Sequence, residues 1–486
     1  MILFDRLLKK HLLVAIGLSV LLFLISLINR SIHIDDAWLG EQAYWLSEKG
    51  FVKSELLRGF AGYETRQYVY HKLFIGIGAL FIKLFGFKLY ALKSISLGFL
   101  IIFMITFVSF MRKSLVINEK IILVLIILVL IHPLVFEFSF VYRPEIMLMT
   151  IGFISYILLY YSIQDNCRKY AFFAGVVAAL ACITHLNGIA FAAAGFFCLL
   201  LSQRAALCFL YSIGGLIISS IYFIDLYAIK EIEAFIFQFK NDPALYDNDY
   251  TGVWHYIVNI IDEHKRFFRD PKTLFFSSLV LFLYISEYKS MKEHALLNTY
   301  TLLLILFFAA FAQSKTNKYM LVYMPFLYLI VGICLENMRQ NKDTSKVKLA
   351  TTLIIAFITV SLVSNIRFIL KNDNSLAKHK KISQIYLTNT QKIVAPMPFI
   401  FEEIDKFNIQ SVTLYKILKN HGNLHDNGSL AFFKTVEDFG NKAIIMNVND
   451  FEHFDMTKPS IGEIRGNYLL VDILADLYIF KYVGDE

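Results

Sequence analysis

Cysteine is scarce, with five in 486 residues. Cys167, Cys182, Cys198, Cys208 and Cys334 lie in or beside apolar runs, and the chain beyond Lys371 has none. That excludes a disulfide framework and is compatible with an exported, periplasmic C-terminal region. Charge is also thin: 18% of residues are charged against 57% hydrophobic, with a mean hydropathy of +0.57. Such a balance is far from a soluble domain and marks a polytopic membrane protein. There is no phosphate-binding P-loop, no glycine-rich dinucleotide motif, no zinc-type Cys/His spacing and no nucleophilic serine or cysteine motif. No small-residue cleavage site follows the first apolar run, so it reads as an uncleaved helix.

What is present is a series of apolar runs near the length needed to cross a bilayer. Spans are expected at 11–28, 89–110, 121–137, 145–162, 170–184, 188–202, 206–228, 273–287, 295–312, 319–335 and 349–369. The run 71–85 is apolar but short, and the distribution of basic residues decides its place. If it does not cross, one side collects fifteen bases. They are Arg6, Lys9, Lys10, Arg112, Lys113, Lys120, Arg168, Lys169, Arg204, Lys289, Lys292, Arg339, Lys342, Lys346 and Lys348. The short loops of the other side hold three, Arg143, Lys315 and Lys318. If 71–85 did cross, every later loop would flip against the positive-inside rule. It is therefore expected to lie along the outer surface.

The expected fold is a polytopic α-helical membrane protein of about 11 transmembrane helices. Residues 1–371 form the membrane domain, with long outer segments at 29–87 and 229–272, and the N-terminus is cytoplasmic. Residues 372–486 form a small extracytoplasmic α/β domain. Its β-like runs are Ile393–Ala395, Ala443–Val448, Tyr468–Ile473 and Leu477–Val483, and Pro398–Phe407 is expected to be a helix. The net charge of +8 sits in short loops, where it orients the spans, and does not point to nucleic acid.

Chemistry-bearing residues converge on the expected outer side. Asp35 and Asp36 stand just beyond the first span, where ionisable groups near a bilayer usually mark a functional path or site. Tyr142-Arg143-Pro144-Glu145 opens a span, and Glu145 suits a helix N-terminus, either electrostatically or as a second acid of a site. His185 sits in the outer turn Thr184-His185-Leu186-Asn187-Gly188, as a helix cap or as a ligand to an acid, metal or phosphate. Ser314-Lys315-Thr316-Asn317-Lys318-Tyr319 puts two lysines on a face where the orientation rule disfavours them. Either they bind an anion or they snorkel to lipid phosphate. The loop 229–272 carries Tyr246, Asp247, Asp249 and Trp254, a mixture of acids and aromatics suited to sugar hydroxyls and sugar faces.

Four of these segments together resemble the GT-C superfamily of membrane glycosyltransferases. The likeness lies near glycosyltransferase family 39, which includes protein O-mannosyltransferases and lipid A aminoarabinose transferases. Asp35-Asp36 is similar to the family's outer acidic pair. Val69-Tyr70-His71-Lys72-Leu73, with Phe85-Gly86-Phe87 and Ala91-Leu92-Lys93, is similar to its His-Pro-Pro-Leu helix and following Ala-Leu-Arg. Tyr142-Arg143-Pro144-Glu145 matches Arg-Pro-Glu, and Thr184-His185 matches the Thr-His turn. The double proline is absent and Lys93 replaces arginine, so the match carries the superfamily rather than the acceptor class.

The resemblance implies an inverting transfer of a sugar from a polyprenyl-phosphate donor to a hydroxyl of a glycan, lipid or protein acceptor. It implies Asp35 or Asp36 as base, with Glu145 assisting. Arg143, Lys315, Lys318, His185 and Tyr319 would serve the donor phosphate, and Tyr246, Asp247, Asp249 and Trp254 the acceptor sugar. No cofactor is identified, and a divalent cation is left open. The competing readings are a flippase for lipid-linked sugars, which expects charges near the midplane, and a non-enzymatic envelope assembly protein.

Overall fold

The structure is a computed structural model. It describes residues 9–242, 253–312, 315–341, 344–388, 391–401, 403–420, 424 and 430–484. Each expected span is helical. In order the helices are Lys9–Ser26, Leu89–Lys113, Glu119–Ile131, Glu145–Gln164, Arg168–Thr184, Ile189–Leu201, Ala205–Ser219, Pro271–Ser286, Ala295–Phe311, Met324–Asn341 and Thr344–Lys371. Among the described residues, six stretches are long and apolar enough to cross a membrane by length and composition alone. Helices are the expected answer in lipid, where every backbone N–H and C=O must be paired within its own segment.

Three spans differ from expectation, one of them 319–335, whose start is the 3₁₀ segment Asn317–Val322 ahead of helix Met324–Asn341. The run 121–137 is broken at His132 into Glu119–Ile131 and Pro133–Phe138. Pro133 opens the second piece, and the His132 ring accepts from the Leu134 N–H at 3.2 Å. The helix from Ala205 ends at Ser219 and tightens into a 3₁₀ turn, Ser220–Phe223.

The segment 29–87 folds as two packed helices, Ile34–Lys49 and Lys72–Phe85. Lys72–Phe85 has 14 residues, about 21 Å, too short for a ~30 Å hydrocarbon core. Its buried residues Ile75, Gly78, Ala79 and Ile82 follow helical spacing, while Leu80, Leu84 and Phe85 are exposed. The helix is amphipathic, with one buried and one exposed face. Gly78 lets Tyr142 approach, because a Cβ there would meet the Tyr142 hydroxyl at 1.8 Å.

Beyond Lys371 lies one mixed sheet of six strands in the order β2-β1-β3-β6-β5-β4. The strands are β1 (Lys392–Ala395), β2 (Asn408–Ser411), β3 (Ala443–Asn447), β4 (Ile464–Arg465), β5 (Tyr468–Leu474) and β6 (Leu477–Tyr482). β1 pairs in parallel with β2 and β3, and the rest is antiparallel. The expected helix Pro398–Phe407 is not formed. Met397–Ile400 is a 3₁₀ turn, and the described residues from Phe401 to Lys406 are turns. Met397, Phe399, Ile400 and Phe401 are all buried, so consecutive side chains must point different ways and no single helical face could serve them. The turn packs on helix Ile34–Lys49, and Phe401 stacks on Phe87 at 5.2 Å.

The outer segment also closes the free edge of β2. The Ser411 N–H donates to the Leu56 carbonyl at 2.9 Å, and Gln410 Nε2 to the Arg58 carbonyl at 2.8 Å. Glu41 fixes that loop from behind, accepting from Ser54 Oγ (2.6 Å), the Glu55 N–H (2.7 Å) and the Leu56 N–H (3.1 Å). Gly59 has a φ of +93°, and a Cβ there would meet the Phe439 ring at 2.5 Å. Gly59→Ala should therefore loosen the joint between the outer segment and the sheet, at a cost of about 1–3 kcal/mol. Limited proteolysis between residues 50 and 60, together with the melting temperature, would show it. An unchanged melt and digest would refute the joint.

Candidate active site

Helix Ile34–Lys49 begins with a reciprocal cap. The Asp35 N–H donates to His33 Nδ1 at 3.1 Å, and the His33 N–H donates to Asp36 Oδ2 at 2.7 Å. Adjacent helical residues point about 100° apart, and the two aspartates go to different neighbours. Asp36 is fully buried. Its Oδ1 accepts the Tyr142 N–H at 2.6 Å, and its Oδ2 lies 3.0 Å from Lys93 Nζ. Lys93, itself fully buried, also donates to the Ser31 carbonyl at 2.8 Å.

Asp35 is partly exposed and forms an ion pair with Arg143. Arg143 turns its other donors on Glu145, with Nη2 to Oε1 at 2.6 Å and Nε to Oε2 at 3.0 Å. One guanidinium therefore bridges two carboxylates, an arrangement that its planar fork allows and a lysine could not reproduce. His33 Nδ1 also lies 3.1 Å from Asp35 Oδ2. Because that nitrogen accepts from the Asp35 N–H, and burial and Arg143 lower the ring's pKa, the approach is not an ion pair.

Lys318 is half-buried and close enough to feel both Arg143 and Glu145. Its ammonium lies over the Tyr319 ring at 5.3 Å and has no ion pair among the described residues. Burial, with Arg143 beside it, pushes its pKa down to about 8. Two histidines complete the floor. His71 and His185 stack with ring centroids 4.6 Å apart, and Tyr319 meets His185 edge-on at 5.8 Å. Burial lowers His71 to about 4 and His185 well below its usual value, so both rings are neutral. His185 Nδ1 accepts the Asn187 N–H at 3.1 Å, which leaves the proton on Nε2.

Other residues fall elsewhere. Lys315 points away from this cluster, with its ammonium at hydrogen-bond distance from Glu263 Oε2 (3.1 Å) and the carbonyls of Ala309 (2.9 Å) and Ala312 (3.1 Å). Its three donors are thus occupied. Trp254 is 68% exposed on helix Val253–Ile261 and is not in the cluster. Tyr246, Asp247 and Asp249 lie outside the described residues.

Several supporting groups were not foreseen. Buried Arg266 holds Glu263 and the Thr316 carbonyl, and lies over the rings of Phe308 and Tyr319. Tyr323 adds a bond to Glu263 at 2.7 Å. Buried Arg30 clasps the Phe136 carbonyl at 2.7 Å and also that of Glu137. The only available signal for these was a base accompanied by an acid in a long loop.

No protein-family model matches the chain, and no curated protein matches it by sequence. The fold does have solved counterparts. ArnT from Cupriavidus metallidurans, bound to undecaprenyl phosphate, aligns over 99% of both chains with a TM-score of 0.62 at 10% identity. The apo oligosaccharyltransferase of Archaeoglobus fulgidus aligns over 92% of this chain and 71% of its own, with a TM-score of 0.56 at 9% identity. The chain has the fold of the GT-C membrane glycosyltransferases. The same archaeal enzyme has a structure with Zn and sulfate.

In this chain the acid pair does not fit a metal. A cation between Asp35 and Glu145 would have to displace Arg143, and the described residues contain no group of three or more His, Cys, Asp or Glu side chains placed to hold one.

The two aspartates should separate in a stability measurement. Asp36→Asn leaves the Lys93 ammonium buried without its carboxylate, at about 3–5 kcal/mol. Asp35→Asn acts on a partly exposed pair and should cost about 1 kcal/mol or less. Thermal melts of the two purified variants would test this, and equal melting temperatures would overturn the division of roles.

Proposed function

We propose that the protein is an inverting glycosyltransferase. It moves a sugar from a polyprenyl-phosphate donor to an acceptor hydroxyl on the outer membrane face, in cell-envelope glycan, lipid or protein glycosylation. The observation that carries the reading is the bridge Asp35–Arg143–Glu145 beside Lys318, which has no ion pair among the described residues. A base and two cations then stand at one end of a helix bundle whose fold is that of GT-C enzymes. The undecaprenyl phosphate bound by ArnT supports the donor class.

Asp35 accepts the acceptor hydroxyl proton as its oxygen attacks the anomeric carbon. The bond from that carbon to the donor phosphate oxygen breaks, and the lipid phosphate leaves with the electron pair. Arg143 and Lys318 neutralise its growing charge, where preorganised cations are most effective. Glu145 touches neither reactant and positions Arg143. His71 and His185, as neutral rings, offer hydrogen bonds without adding charge. Lys315 is assigned to bracing the loop that carries Lys318. The bias of basic loops puts this site and the sheet domain outside the cytoplasm. A flippase fits less well. Asp36, Lys93, Arg143 and Glu145 gather at helix ends, and Asp225 is held there by Lys72 at 2.6 Å and Tyr70 at 3.2 Å.

Transfer from a radiolabelled polyprenyl-phosphate sugar in reconstituted membranes tests the proposal. Asp35→Asn should lower kcat by about 10²–10⁴-fold, without raising KM for the donor, since the phosphate no longer competes with Asp35 for Arg143. Full activity in that variant would sink the assignment of the base.

Lys318 predicts a pH limb. Its pKa of about 8 means that the ammonium is present below that pH and is lost as pH rises through it. Donor KM should therefore climb on the alkaline side, and Lys318→Arg, which stays charged, should move the limb upward. A donor KM that is flat with pH in both proteins would exclude Lys318 from phosphate binding.

A further inference from the structure

Far from this site, helices Lys9–Ser26 and Thr344–Lys371 both pack on Glu119–Ile131 and leave an apolar groove of about 570 Å³. All three run in the same direction. At the end where they begin, the groove is lined by Leu12, Val124 and Thr351, and at the other end by Leu22, Ile131 and Ile366. Leu12 to Leu22 spans about 15 Å, half of a ~30 Å hydrocarbon core and thus one leaflet. The walls are almost wholly aliphatic. The Ser19 hydroxyl is turned back to the Ala15 carbonyl at 2.8 Å.

One helical turn before the lowest wall residue of each helix stands a lysine. Lys9 precedes Leu12, Lys120 precedes Val124 and Lys348 precedes Thr351, at the three- and four-residue spacings that share a helix face. Lys9 and Arg112 both reach Glu119, at 3.0 and 3.3 Å, so two cations share that one carboxylate. The three helix beginnings add positive dipole ends.

We infer that the groove binds an anionic phospholipid, with an acyl chain between the three helices and its phosphate at Lys9 and Lys348. Basic pockets between membrane helices suit such head groups. A polyprenyl phosphate fits poorly, because its phosphate would sit at the opposite end of the bundle from Asp35. The basic end is the cytoplasmic one under the positive-inside rule, so the lipid belongs to the inner leaflet.

The test uses the full-length protein, purified from vesicles containing equal amounts of phosphatidylglycerol and phosphatidylcholine. Retained lipids are counted by native mass spectrometry. Phosphatidylglycerol should be retained preferentially, and Lys9→Gln and Lys348→Gln should each cut the preference about fivefold, for about 1 kcal/mol per base. Ile355→Trp, which fills the groove, should abolish retention, and Ser19→Phe does the same from the opposite wall should that variant not fold. Equal retention of both lipids, a preference untouched by the lysine variants, or replacement of phosphatidylglycerol by added undecaprenyl phosphate would each overturn the inference.

Discussion

The Asp36 carboxylate is the contact on which the outer half of the molecule depends. Within one buried group it joins the cap of helix Ile34–Lys49, the Lys93 ammonium on helix Leu89–Lys113 and the Tyr142 N–H just before the Glu145 helix. Lys93 carries the link onward to the Ser31 carbonyl. The Ser31 hydroxyl in turn accepts the Asp373 N–H at 2.9 Å, where the chain enters its final domain. An ion pair sealed from water adds little net stability over an apolar substitute, but it tolerates no alternative partner geometry. The gain here is placement, since the same network sets the positions of Asp35 and Arg143.

That dependence explains which parts were legible in the sequence. Span positions follow from hydropathy, and the surface helix Lys72–Phe85 from charge arithmetic, because lipid allows few solutions. The convergence of Asp35, Arg143, Glu145, His185 and Lys318 was also legible, since each sits at a span end on the same side. The division of labour between Asp35 and Asp36 was not. Two identical side chains one residue apart differ only in what surrounds them, and that surrounding comes from residues 93 and 142.

Lys315 and Lys318 show the same limit in another form. Both break the orientation rule, and three residues separate them. Only Lys315 has an acid and two free carbonyls within reach, supplied by Glu263 and by the end of helix Ala295–Phe311. In the sheet domain the apolar runs pointed to β1, β3, β5 and β6. The short β2 was invisible because its residues Asn-Ile-Gln-Ser include a single apolar side chain. The turn at Met397–Ile400 misled for a different reason, since its buried side chains answer to Phe87 and to helix Ile34–Lys49 rather than to one helical stripe.

Arg143 carries the remaining argument. It already serves two carboxylates, and a leaving phosphate would be a third anion for the same fork. Glu145 is buried and holds it by two donors, whereas Asp35 is partly exposed and holds it by one. An arriving phosphate therefore competes most easily with Asp35. Losing its share of the guanidinium makes the Asp35 carboxylate a stronger proton acceptor, because a nearby cation is what favours its charged form. On the proposed mechanism, donor binding would then activate the base. With no donor in place, Asp35 stays paired with Arg143.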